Sequence, residues 1–240
     1  MNQEKHYTLE DFLNIVETLR SENGCPWDRK QTHKSLKPCM MEEAAELVSS
    51  IRIYDTTGNA ENMREELGDI LLQVVMHSQI AKEEGLFTFG DVVQEVSAKM
   101  IRRHPHVFMD ARTDGTEGVY KNWDEIKRQE KEGKEWIESP LREIPKELPA
   151  LTRASKVLKK ADKLYGAGKE YGNCVADLEE SVRRLSGMEP DMEDAALEQV
   201  LGDMLVSLSD IARRYRVSQE QVLTDRVENL IDRYEPSKKP

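Results

Sequence analysis

The sequence predicts an all-α fold of two tandem helical bundles with no significant sheet. Apolar residues recur at helical spacing along most of the 240 residues, and no segment sustains the two-residue alternation of a strand. The halves also resemble one another: LGDIL (67–71) returns as LGDML (201–205), and MEE (41–43) has a counterpart in LEE (178–180) at nearly the same distance upstream. Two matches in the same order point to a duplicated bundle.

The elements follow in order. Thr8 to Asp11 reads as a capping-box start, with Phe12, Ile15, Val16 and Leu19 as the apolar stripe, and Asn23-Gly24 ends the helix. A loop over 25–38, in which Trp27 is expected to pack, leads to a helix from about Cys39 to Tyr54, with Met40, Ala44, Leu47, Val48 and Ile51 as its core face. The next helix runs from Ala60 to about Glu84, with Leu67, Ile70, Leu71, Val74, Val75 and Ile80 inside, and Gly85 stops it. A fourth begins near Thr88, carries Val92, Val93, Val96 and Met100, and ends at His104-Pro105. Residues 104–119 read as a loop, Tyr120 to Gly133 as a charged helix, and Pro140, Pro145 and Pro149 punctuate a linker. The second half then shows helices at Leu151 to Tyr165, Val175 to Leu185, Met192 to Tyr215 and Ser218 to Tyr234.

Composition narrows the function classes. With 34% charged and only 6% aromatic residues, the chain suits a soluble helical protein with solvated helix faces. A net charge of -11 argues against a general nucleic-acid partner. No apolar run approaches the roughly 20 residues that span a bilayer, and MNQEKHYTLED lacks a signal-peptide core, so a cytoplasmic protein with no membrane partner is expected. Cys25, Cys39 and Cys174 are odd in number and lack a CxxC, which suggests reduced thiols.

The chemistry concentrates in two acidic pairs, Glu43/Glu46 and Glu66/Asp69, each three residues apart inside an apolar helical stretch. Residues at i and i+3 lie side by side, roughly 5 to 6 Å apart at Cβ, so each pair presents two oxygens in one direction. Acids at this spacing are usually a solvated face, but Asp69 is flanked by apolar residues and Gly68, where an uncompensated charge is costly. Two such helices packed antiparallel bring four carboxylates together, and all-oxygen ligation favours Mg2+ or Mn2+. A di-iron bundle would need Glu-x-x-His pairs, which neither acidic stretch supplies. Hard cations commonly bridge to substrate phosphates, so basic partners are sought. Lys99 and Arg103 share a helix face and fit that role, although basic residues also complement a helix C-terminus. Trp123 either stacks on a nucleobase or anchors its helix to the core. His33, His104 and His106 have no ligand spacing and are assigned to no metal.

CPWDRKQTH (25–33), EEAAE (42–46), EELGDILLQVV (65–75) and KMIRRHPHVF (99–108) resemble the MazG family, nucleoside triphosphate pyrophosphohydrolases of the all-α NTP-pyrophosphatase superfamily. The resemblance implies a MazG-like catalytic domain over 1–135, a Pro-containing linker over 136–150 and a second MazG-like domain over 151–240. It further implies that Glu43, Glu46, Glu66 and Asp69 ligate Mg2+, with Mn2+ as the alternative, that Glu42 orients or activates the attacking water, and that Lys99, Arg103 and Trp123 contact the nucleotide. The implied reaction is Mg-dependent hydrolysis of NTP or dNTP to nucleoside monophosphate and pyrophosphate, and the implied assembly is a homodimer. Glu179 and Glu180 match the opening acids of the second half, but Arg183 replaces the third and the last pair reads Val200-Leu-Gly-Asp203. The second domain is therefore expected to be degenerate, with Arg183 where a cation would sit. Two other readings are a catalytically silent helical regulatory or interaction protein, and a house-cleaning enzyme restricted to modified nucleotides.

Overall fold

A computed structural model describes residues 6–108, 126, 130, 138–188 and 194–235. Among them lie ten helices and no strand: α1 Leu9–Arg20, α2 Pro26–Arg29, α3 Lys37–Thr57, α4 Glu61–Glu83, α5 Phe89–Arg103, α6 Pro105–Phe108, α7 Ala150–Tyr165, α8 Tyr171–Ser186, α9 Asp194–Arg214 and α10 Gln219–Tyr234. The chain divides into two compact units, Met1–Lys131 and Glu132–Pro240. Most of the stretch read as a charged helix over 120–133, Trp123 included, falls outside the described residues.

In the first unit α4 packs against α1, α3 and α5. The local chemistry sets the helix ends. Thr8 and Asp11 exchange the two bonds of a capping box, with Asp11 N–H donating to Thr8 Oγ1 (3.1 Å) and Thr8 N–H to Asp11 Oδ2 (2.9 Å). Thr88 and Asp91 repeat the device at the start of α5. Gly58 closes α3 at φ +73°, a left-handed conformation open to glycine at no steric cost, and its N–H reaches Tyr54 O at 2.8 Å. The short connection that follows turns the chain back, so α3 and α4 form an αα-hairpin.

The core of this unit sits along α4's C-terminal half. Val16, Leu36, Val75, Met76 and Ile80 are buried, and Phe12, Leu13, Leu72 and Phe89 pack on them. Each such burial stabilises by about 1.5–3 kcal/mol. The segment before α3 is tied to this end. Arg20, 5% exposed, donates to Asp28 O (2.6 Å) and Gln31 O (3.2 Å) and pairs with Glu83 at 2.7 Å. His33 and His77 stack, their Nδ1 atoms 2.7 Å apart, so one ring donates and the other accepts. Burial and the neighbouring His33 lower the proton affinity of His77.

Several expected core residues are exposed instead. Val48, Ile51, Leu67, Leu71, Val93, Val96 and Met100 are all exposed, because no described helix of their own unit covers the outer faces of α3, α4 and α5. Trp27, expected to pack, is 63% exposed on the short helix α2.

In the second unit α9 packs against α7 and α8, and α10 against α7. Its interior is more polar. Val200 and Cys174 are buried beside Ser181, Ser209 and Asp210. Burial pushes the Asp210 carboxyl up, but hydrogen bonds from Cys174 (Sγ to Oδ2, 2.7 Å), Arg213 and Arg214 outweigh it and leave its proton affinity below the ordinary value. A buried charge held by two arginines is tolerable where an unpaired one is not. Of the stretch read as a linker over 136–150, residues 138–150 are described and fall in this unit: Ile144 is buried, and Glu143 pairs with Lys160 at 2.6 Å.

Candidate active site

The α3–α4 hairpin places the first acidic pair against the second. Carboxylate oxygens of Glu43, Glu46 and Glu66 all lie within 4.8 Å of one another. Glu43 and Glu66 are half-buried and Glu46 is exposed, so the cluster is open to a ligand. Asp69 is outside this tightest group, yet it is the strongest single charge acting on Glu43. Burial, then the charges of Asp69, Glu46, Glu66 and Glu42, raise the proton affinity of Glu43 above the ordinary carboxylate value. That is the electrostatic signature of a site that favours positive charge. The donor set is oxygen only, which fits Mg2+ or Mn2+ and does not suit a thiolate-preferring metal.

Two further features escaped the sequence reading. Asn62, one turn before Glu66 on α4, donates from Nδ2 to Glu66 Oε1 at 2.8 Å and fixes that carboxylate's orientation. The signal was present as a polar i, i+4 pair, but such pairs are common on solvated faces. The second is Glu130. Arg102 donates to Glu130 Oε1 from Nε at 3.0 Å, and Arg103 donates to Glu130 Oε2 from Nε at 3.1 Å and again from its terminal nitrogen. Hydrogen bonding to Arg103 first, then to Arg102, holds the Glu130 carboxyl down at about 2 against the burial that opposes it. Arg103 thus already engages an anion through its planar fork. Lys99 lies half-buried one turn earlier on the same helix. Glu42, at the position next to Glu43, is exposed.

A family model for the MazG nucleotide pyrophosphohydrolase domain matches residues 31–108, which contain both acidic pairs, Lys99 and Arg103. A Thermotoga maritima protein named nucleoside triphosphate pyrophosphohydrolase/pyrophosphatase MazG is 39% identical over 226 residues, 94% of this chain and 84% of that one. The chain belongs to the MazG family. An Escherichia coli K12 nucleoside triphosphate pyrophosphohydrolase is 35% identical over 218 residues, 90% of this chain and 81% of its own. The Bacillus subtilis protein YabN, named uncharacterized, is 41% identical over 220 residues, 91% of this chain but 44% of its own longer one.

Against the MazG pattern the second unit differs where the sequence differs. Val200, at the position corresponding to Glu66, is fully buried. Arg183, expected in place of a cation, pairs with Glu180, the counterpart of Glu43, on its own helix at 2.9 Å and is largely exposed. Its neighbour Arg184 makes the link between helices, reaching Asp203 Oδ2 at 3.2 Å. Two of the acids at corresponding positions, Glu180 and Asp203, are therefore paired with arginines of the chain itself.

Proposed function

We propose that this MazG-family chain hydrolyses nucleoside triphosphates, ribose or deoxyribose, to nucleoside monophosphate and pyrophosphate, and that the first unit carries the reaction. The observation behind this reading is the convergence of Glu43, Glu46 and Glu66 oxygens within 4.8 Å, with Asp69 charging the same spot. The activities named for the Thermotoga and Escherichia relatives support the reaction class. Glu43, Glu46, Glu66 and Asp69 would hold Mg2+, with Mn2+ as the alternative. Such an ion, when bound, neutralises phosphate charge and stabilises the departing pyrophosphate.

The chain's own residues supply the rest. Glu42, one residue from the ligand face and exposed, accepts a proton from the attacking water. The water oxygen bonds to the α-phosphorus, the bond from that phosphorus to the α–β bridging oxygen breaks, and pyrophosphate leaves with the electron pair. Phosphate oxygens displace the Glu130 carboxylate from the planar fork of Arg103, and Lys99 adds a point charge on the same face of α5. Trp123, by the family resemblance, stacks on the base.

The second unit keeps the framework without the full ligand set, and we assign it a supporting or regulatory role. The uncovered apolar residues of α3, α4 and α5, among them Val48, Leu71 and Val96, support a homodimer that covers them. No described helix is long and apolar enough to cross a membrane. Three free cysteines accord with a cytoplasmic location, where thiols stay reduced. Asp69→Asn tests the assignment: pyrophosphate release from NTP plus Mg2+ should drop at least a hundredfold while far-ultraviolet circular dichroism stays unchanged. Retained release removes Asp69 from the site.

A further inference from the structure

The second unit holds a cavity of about 310 Å³ at the base of α7, walled by Leu148, Val157, Leu158 and Val206 and edged by Lys146 and Arg153. This is the size at which small-molecule sites begin. Its charge is opposite to that of the chain. Between Lys146 and Tyr165 stand Lys146, Arg153, Lys156, Lys159, Lys160 and Lys163 against Glu147 and Asp162, in a protein of net charge -11. Two of these cations have partners already: Lys160 pairs with Glu143, and Lys163 is engaged elsewhere. The two at the cavity edge do not. Arg153 Nε is buried with no hydrogen-bond partner, and neither Arg153 nor Lys146 joins an ion pair among the described residues. A buried guanidinium nitrogen left unpaired is costly; Arg214 Nε is the other among the described residues, but Arg153 Nε belongs to a residue that lines a cavity able to supply the partner.

We propose that this cavity is a binding site for a phosphomonoester with a flat apolar body, the chemical class of the reaction's own nucleoside monophosphate product. Two adjacent cations match the dianionic charge of a phosphate monoester better than a carboxylate's single charge. The apolar wall makes the other product, pyrophosphate, a poorer fit, since it has no surface to bury there. No acidic side chain lines the cavity, so a metal ion is not its ligand. Val206 is one turn beyond Asp203 on α9, so the site adjoins the position where Val200 has replaced one acid of the second unit's pair. A duplicated unit that no longer holds the full ligand set would thereby report product to the enzyme. This inference rests on the reaction proposed above only for the name of the ligand; the site stands on the cavity and its cations.

The test is isothermal titration of AMP, UMP, adenosine and inorganic phosphate into the full-length protein in EDTA, with Glu66→Gln as the catalytic-site control. Expected is one AMP or UMP site per chain, weakened about tenfold or more in Arg153→Gln and in the exposed Lys146→Gln, unchanged in Glu66→Gln, and absent for adenosine. Turnover of NTP at saturation should be the same in Lys146→Gln as in the wild type. No heat from either monophosphate overturns the site, as it does if a second copy of the chain fills the cavity. Equal binding of adenosine and AMP, or of inorganic phosphate and AMP, overturns the ligand class. Binding lost in Glu66→Gln and intact in both cation variants places the nucleotide in the first unit and refutes the proposal. Were that so, the hydrolysis reading would stand unaffected.

Discussion

Glu66→Gln separates the fold's interest from the function's, because the same substitution should stabilise the metal-free protein and abolish its reaction. Glu66 faces two like charges, Glu43 and Glu46, with oxygens within 4.8 Å. Two unit charges at that distance repel by about 0.9 kcal/mol in water, and a Debye length of about 8 Å at 0.15 M salt roughly halves this. Over two pairs the relief is about 1 kcal/mol, larger to the extent that half-burial lowers the local dielectric. For a chain of this length that is a rise in melting temperature of about 2 to 4 °C. The side-chain amide is isosteric and its oxygen still accepts from Asn62 Nδ2, so that 2.8 Å hydrogen bond survives. In the wild type, saturating Mg2+ at a hundredfold over its dissociation constant should add about 2.7 kcal/mol, and the variant should lose most of that increment. Scanning calorimetry with EDTA and with Mg2+, beside a pyrophosphate-release assay, reads all three effects. A variant less stable than wild type in EDTA, or one that keeps the full Mg2+ increment, refutes the account of the cluster as a strained cation site.

Three further outcomes follow from the same structure. Asp203→Asn breaks only the partly exposed pair with Arg184, so turnover should remain within about twofold and stability within about 1 kcal/mol; a large loss of turnover would make the second unit catalytic. Glu130, held at about 2 by Arg103 and Arg102, has a proton affinity below its unfolded value, so its contribution is complete above pH ~4.5 and disappears as pH falls toward 2. The stability gap between wild type and Glu130→Gln should accordingly be flat from pH 8 to 5 and close below pH 4.5 in urea titrations; a gap that grows in acid contradicts the clamp. Leu71→Asp puts a charge on the exposed face of α4 and should make the protein sediment as a monomer where the wild type sediments as the proposed homodimer, with identical sedimentation profiles counting against that interface.

The helices and the acidic set were legible because both are written in local spacing. Thr8 and Asp11 announce a cap by their separation alone, and Glu43/Glu46 and Glu66/Asp69 announce a shared face for the same reason. What spacing cannot encode is which apolar face meets the chain's own core. Leu67 and Leu71 are as apolar as Val75 and Ile80, yet only the latter two join the core with α1 and α5, and the first two are left exposed among the described residues. The exposure of Trp27 and the choice of Arg184 over Arg183 as the bridge to Asp203 have a similar origin. A step of one residue turns a helical side chain by about 100°, and sequence alignment of the halves does not fix that rotation. The His33–His77 contact joins residues far apart in the chain and had no local trace at all.

The central claim is that water attacks the α-phosphorus at the acidic set of the first unit. It is tested most directly by a single turnover of NTP with Mg2+ in water enriched in oxygen-18, followed by mass spectrometry of both products. The label should enter the nucleoside monophosphate alone and the pyrophosphate should remain unlabelled. Label in pyrophosphate, or labelled orthophosphate accompanied by nucleoside diphosphate, would place the attack on another phosphorus and contradict the account.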